Sequence, residues 1–129
     1  MARIRPTGEG LRQRSPQRKD RPHLDWLKTL PCCVTGQEQA IDPAHVRYAD
    51  PDYGKRQTGG AEKSDDCYAV PLCRTEHDRQ HSMNEQEYWR QVGIDPLLLA
   101  VKLFAASGND AAGRAIIRRI PRGEPKWTN

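Results

Sequence analysis

The chain has 129 residues, of which 29% are charged and 6% aromatic, and a formal net charge of +4. That length holds one domain with modest flanks and excludes a second large core. The polarity leaves room for only a small core, which in chains of this size often leans on a bound metal or a partner.

No apolar run reaches the length of a membrane span; "DPLLLAVKLFAA" is the longest and contains Lys102. The amino terminus is basic and lacks the apolar stretch of a secretory signal, so the expected location is the cytoplasm, with no membrane partner. In that compartment four cysteines point to thiols or metal ligands rather than disulfides. Charge is unevenly spread. Residues 1–22 carry a local +5 and residues 114–129 a local +4, which leaves −5 for residues 23–113. Basic ends around a mildly acidic centre fit contact with a polyanion, and they fit solvated tails as well.

In chain order, residues 1–21 are rich in Arg, Gln, Pro and Gly without apolar periodicity and read as a disordered basic arm. "HLDWLKTL" places Leu24, Leu27 and Leu30 at threefold spacing and stops at Pro31, which predicts one short helix. "CCVTG" reads as a tight turn into "QAIDPAHVRY", a first strand broken by Pro43. Residues 50–66 form a long, exposed, glycine-containing loop, and long ordered loops in small domains are usually functional. "CYAVPLC" is the second strand, with Pro71 suggesting an edge position.

A helix follows from Arg74 to about Ser82. Ser82 with Glu85 suggests a capping box for another helix, "MNEQEYWRQVG", ending at Gly93. Asp95 followed by Pro96 opens a third, ending at Gly108, and "DAAGRAIIRRI" a short amphipathic one. Trp89, Leu98, Val101 and Phe104 are the expected core of this part. The expected division is an arm at 1–21, a domain at 22–108, and a basic carboxy-terminal helix and tail at 109–129.

The stretch "AVPLCRTEHDRQH" carries the chemistry. Cys73, His77 and His81 follow one another by four residues, a spacing that keeps side chains on one helix face, although Cys73 can sit just before the helix. Paired histidines one turn apart can converge on one cation, and imidazole suits Zn, Ni, Co and Mn better than Ca. The competing reading is a solvated helix, with Asp78, Arg79 and Gln80 around both rings.

His45 in "IDPAHVR", then the loop, then "AVPLC" and the helix, resembles the order of the HNH endonucleases. The pattern is most similar to small phage and prophage HNH proteins, including the recombination-enhancing nuclease type, and covers about residues 24–92. The resemblance implies an α+β fold: a small ββα-metal finger with additional packing helices and basic, disordered termini. It implies a DNA endonuclease with one divalent ion (Mg, Mn, Ni or Zn), products with 5′-phosphate and 3′-hydroxyl ends, and a phage or recombination protein as a possible partner. Carried over residue by residue, it makes His45 the general base and His77 and His81 the metal ligands.

Asp66 is the nearest substitute for the absent middle Asn, with Asp65 as the alternative and strand capping as the competing role. The family's frequent ligand before the base is here Ala44. Asp42, water or the loop therefore remain open as completions of the metal shell, and His45 itself remains open as a ligand. Arg47 would share the strand face of His45 and could grip a phosphate; Lys55, Arg56 and Lys63 could contact the DNA backbone, and Tyr53 could stack on a base.

Family members with a structural zinc hold it by two C-x-x-C pairs. Here the partners of Cys33 and Cys73 would be Gly36 and Glu76, so that zinc is not expected and the cysteines read as small buried apolar residues. The alternative function is a non-catalytic, zinc-stabilised nucleic-acid-binding module with a closed site of Cys33, Cys73, His77 and His81. A remoter one is a phage interaction protein with a vestigial metal site.

Overall fold

The computed structural model describes residues 19–48 and 65–123. The order of elements is α1 (Arg21–Leu27), β1 (Ile41–His45), a single 3-10 turn (Asp66–Tyr68), β2 (Ala69–Cys73), α2 (Arg74–His81), α3 (Glu85–Val92), α4 (Pro96–Ala105) and α5 (Asp110–Arg119). This is a small α+β fold, with five helices and one two-stranded antiparallel sheet among the described residues.

Local chemistry explains most boundaries. Asp20 caps α1 by accepting the amide of His23, and Pro22 occupies its first turn, where no intrahelical donor is needed. Asp95 caps α4 by accepting the amides of Leu97 and Leu98. Gly93 ends α3 in the left-handed conformation, φ 77°. The expected capping box does not form. Asn84 caps α3 through the amide of Glu87, while Ser82 closes α2 and donates its hydroxyl to the Arg79 carbonyl.

The sheet differs from expectation in one respect: Pro43 does not break β1. Pro43 lies directly opposite Pro71 in the register Ile41↔Cys73 to His45↔Ala69. Facing pairs in an antiparallel ladder alternate between hydrogen-bonded and non-bonded positions. Arg74 donates its amide to the Ala40 carbonyl and Val46 its amide to the Tyr68 carbonyl, so the even-numbered positions of β1 are the bonded ones. Both prolines fall at a non-bonded position, where the missing N–H points away from the partner strand. The Pro71 carbonyl faces outward accordingly and accepts the amide of Cys33.

Strand β2 is buried along its whole length, and α4 packs across it. One core cluster takes in Trp26 and Leu27 from α1, β2, Tyr88 and Trp89 from α3, and Leu99, Ala100 and Leu103 from α4; it also includes Ile117 and Ile120, so α5 and its end share the same core. The phase expected for α4 is wrong. Leu97, Leu99, Ala100 and Leu103 are buried, Leu98 is half-buried, and Val101 and Phe104 are 40% and 41% exposed. A helix that is apolar nearly all round does not announce its inner face. Only Lys102 marks the outer side, and Leu98 and Val101 lie beside it.

Helix α5 is fastened to α1 at Gly113 and Asp110. The Trp26 indole donates to the Asp110 carboxylate at 2.7 Å. A Cβ added at Gly113 would lie 2.7 and 2.9 Å from ring carbons of Trp26 and 3.2 Å from a Leu30 methyl. Replacing a helical glycine by alanine ordinarily gains about 1 kcal/mol. Gly113→Ala is expected to reverse that sign and lose about 1–3 kcal/mol through overpacking, read as a lower denaturant midpoint with unchanged m-value.

Candidate active site

The unit β1–β2–α2 brings the sequence-predicted residues together. His45 ends β1 opposite Ala69, so the turn that leads into β2 passes beside its ring. Asp66 in that turn is 4% exposed and lies with Oδ1 2.9 Å from His45 Nε2. Its Oδ2 accepts the backbone amide of Asp20 at 2.6 Å, which ties the start of α1 to the same carboxylate. Two donors satisfy a carboxylate that would otherwise be costly to bury. Asp65 gives its carbonyl to the amide of Tyr68, within the turn. With Nε2–H directed at Asp66, the Nδ1 of His45 is the nitrogen left to accept a proton.

His77 and His81 stand one turn apart on α2, with their Nε2 atoms 3.1 Å apart. Metal–imidazole bonds are about 2.0–2.1 Å, so two nitrogens at that separation subtend roughly 100° at a shared ion, a normal angle for tetrahedral or octahedral coordination. Asp42 takes a different part from the one considered for it. Its Oδ2 accepts from His77 Nδ1 at 3.0 Å, so it holds the back of the imidazole and aims Nε2, as outer carboxylates do for ligating histidines. Arg74 donates twice to Asp42, at 2.7 and 3.0 Å. This guanidinium, more than His77, holds the Asp42 carboxyl below the usual carboxylate range against the opposing effect of burial. Burial lowers the His81 pKa, and the neighbouring His77 and Arg47 lower it further, which favours the neutral ring that a metal requires.

Cys73 does not share the face of the two histidines. It is the extended residue before α2 and is buried in the core. Cys33 is buried too, with its amide on the Pro71 carbonyl. Among the described residues no three His, Cys, Asp or Glu side chains are arranged as a group around one metal. The paired imidazoles are two side chains that could serve as ligands to one ion.

A cleft of about 160 Å³ is lined by His45, Arg47, Gln80, His81, Met83 and Glu85. It sets the strand histidine and one helix histidine around the same space, with Arg47 on the strand side as its spacing from His45 predicted. Glu85 is the residue that sequence reasoning misplaced. Its carboxylate accepts the Arg47 amide at 3.1 and 3.2 Å and the amide group of Gln80 at 3.1 Å, tying the end of β1 to α2 and α3. The available signal was Asn84, as good a cap as Ser82, which moves Glu85 out of the capping-box position. Lys55, Arg56, Lys63 and Tyr53 lie outside the described residues.

The cysteines make a hydrogen-bonded turn. Cys32 Sγ accepts the amides of Val34 and Thr35 at 3.4 Å each, the Cys32 carbonyl accepts the amide of Gly36, and Thr35 Oγ1 lies 3.8 Å from Cys73 Sγ. The expected tight turn at this stretch is thus held by Cys32, Thr35 and Gly36. All four thiols are free, three of them buried, and burial pushes the Cys33 thiol up.

Residues 11–108 match the family described as protein of unknown function, DUF968. The chain belongs to the DUF968 family. The match takes in His45, Asp66, His77 and His81 and stops short of α5. Over 57 residues the chain is also 37% identical to the uncharacterized protein YdfU of Escherichia coli (strain K12), a stretch that makes up 44% of this chain and 14% of that protein. The DUF968 chain therefore aligns with only a small part of the length of that relative. No solved structure matches. Among the described residues no helix is long and apolar enough to cross a membrane.

Proposed function

We propose that this DUF968 chain is a metal-dependent DNA endonuclease of the HNH type, hydrolysing phosphodiester bonds with a histidine general base and a single divalent ion. The observation that carries the reading is the cleft shared by His45 and His81, with a carboxylate behind His45 and His77 paired to His81 on the other side. His77 and His81 are the residues that would hold the ion, which when bound supplies positive charge for the non-bridging and leaving oxygens of the phosphate.

The chain's own groups account for the rest. His45 Nδ1 takes a proton from the attacking water as oxygen adds to phosphorus and the bond to the 3′ oxygen breaks. Asp66 holds the ring in position and stabilises the imidazolium that forms, while its second oxygen stays on the Asp20 amide. Arg47 lines the same cleft and is placed to hold a phosphate oxygen. In this reading phosphate-backbone interactions dominate and base-specific readout is slight. A cytoplasmic setting, a phage or prophage origin and a recombination-protein partner belong to the same proposal.

The test is cleavage of supercoiled plasmid by purified full chain, first with EDTA and then with Mg, Mn, Ni or Zn restored. Nicking or linearisation that requires added metal supports the enzyme. Protein that binds both metal and DNA yet never cuts returns the reading to the zinc-stabilised binding module.

A further inference from the structure

A second basic surface lies around the cysteine turn, outside the histidine cleft. A hollow of about 470 Å³ is bounded by the turn Cys32–Gly36 and by Glu38, Arg114, Ile117, Arg118 and Arg122, among others. Three guanidinium groups face one carboxylate there, and that carboxylate, Glu38, is already engaged by Arg114 at 3.1 Å.

Two of the arginines are also held by backbone carbonyls, which leave Arg122 uncompensated while Arg114 stays paired with Glu38. Arg122 donates to the carbonyls of Cys33 and Ile117 at 2.9 and 3.0 Å, and Arg114 donates to the Thr29 carbonyl at 3.2 Å. Carbonyl partners fix a guanidinium in place and leave its charge to act outward. Arg118, one turn beyond Arg114 on α5, is exposed and has no partner among the described residues. Arg119 and Lys102 rim the neighbouring groove on the other side of the helix. From Arg114 to Arg122 the chain carries four arginines and no acidic residue.

We infer that Arg114, Arg118 and Arg122 form a phosphate-backbone docking surface for DNA, distinct from the cleft where the chemistry is placed. Guanidinium groups suit phosphate oxygens, and three of them against the single carboxylate of Glu38 leave the hollow a net positive charge that supplies the complementarity. The three arginines lie beyond the residues matched by the family, while the cysteine turn that faces them lies within it. The choice of DNA as the polyanion rests on the endonuclease reading. A basic last turn also complements the helix dipole, which is the purely structural role the test must separate.

The experiment measures binding of a fluorescent, mixed-sequence DNA duplex to the full chain in EDTA, where no cleavage occurs, over a series of salt concentrations. Arg118→Ala removes an arginine that bonds to no other described residue, and Arg118→Glu reverses its charge. Arg90→Ala, which removes an exposed arginine paired with Glu87 on α3, reports the effect of reduced net charge alone. The expected result is that each Arg118 variant binds more weakly by the same factor on unrelated sequences, with Arg118→Glu weaker than Arg118→Ala. The slope of log K against log salt should fall by about 0.9 for each phosphate that the protein no longer neutralises, with little change for Arg90→Ala. Arg118 variants that match Arg90→Ala, or a wild-type chain that binds no duplex, overturn the inference. Intact binding without metal-dependent cutting defeats only the catalytic reading; normal cutting with an unchanged slope defeats only this one.

Discussion

His45→Ala is expected to lower plasmid cleavage by about 10²–10⁴-fold, the usual worth of a positioned general base, while metal content measured on the purified protein stays the same. The ring reaches Asp66 through Nε2, and the imidazoles proposed as metal ligands lie on α2, so removing the strand histidine should leave the helix pair intact. The limb of the pH–rate profile that reports the base should vanish with it. A variant that loses its metal together with its activity would make His45 a ligand, and the base would then have to be sought elsewhere in the cleft. Retained cutting in His45→Ala would end the proposed mechanism.

Changes on the other wall should separate by their distance from the ion. Losing either Nε2, in His77→Ala or His81→Ala, removes one of the two proposed protein ligands. It is expected to weaken metal binding by more than the about 10–100-fold typical of outer-shell changes. Asp42→Asn, which keeps the size of the side chain but weakens its hold on His77 Nδ1, should fall within that range. Asp42→Asn also breaks the ion pair with Arg74, but an exposed pair of that kind contributes little to stability. Titration with Zn or Mn followed by calorimetry gives the order. Equal affinity in all three variants and the wild type would exclude the paired imidazoles as a metal site. In every case DNA binding in EDTA should persist, because phosphate-backbone interactions do not pass through the ion.

The elements that were legible in the sequence are those with a local chemical cause. Asp95 with Pro96, and Gly93, each mark a helix end by a rule that needs no tertiary information, whereas α1 begins at Arg21 behind its cap Asp20, inside the stretch expected to be a disordered arm. The four-residue spacing of His77 and His81 likewise survives, since it depends only on helical geometry. What was hidden depends on register and packing. Pro43 reads as a strand breaker until the register sets it against Pro71, and the inner face of α4 is chosen by β2 rather than by its own pattern. Asp42 is visible as a carboxylate near the site, but its hold on His77 spans 35 positions and requires the pairing of β1 with β2. Glu85 suggests a local cap, and its bond to the Arg47 amide appears only when α3 is laid against the end of β1.

The facing prolines also bear on self-association. A ribbon of two strands has two outer edges, and an unguarded edge is a template on which another chain can extend the sheet. At the middle of each edge here the outward-pointing nitrogen belongs to a proline and has no hydrogen to give. On the β2 side, the carbonyl at that position is already occupied by Cys33. The ribbon that carries His45 is thereby a poor seed for intermolecular β-pairing, which protects a small, highly charged domain from polymerising through its own strands.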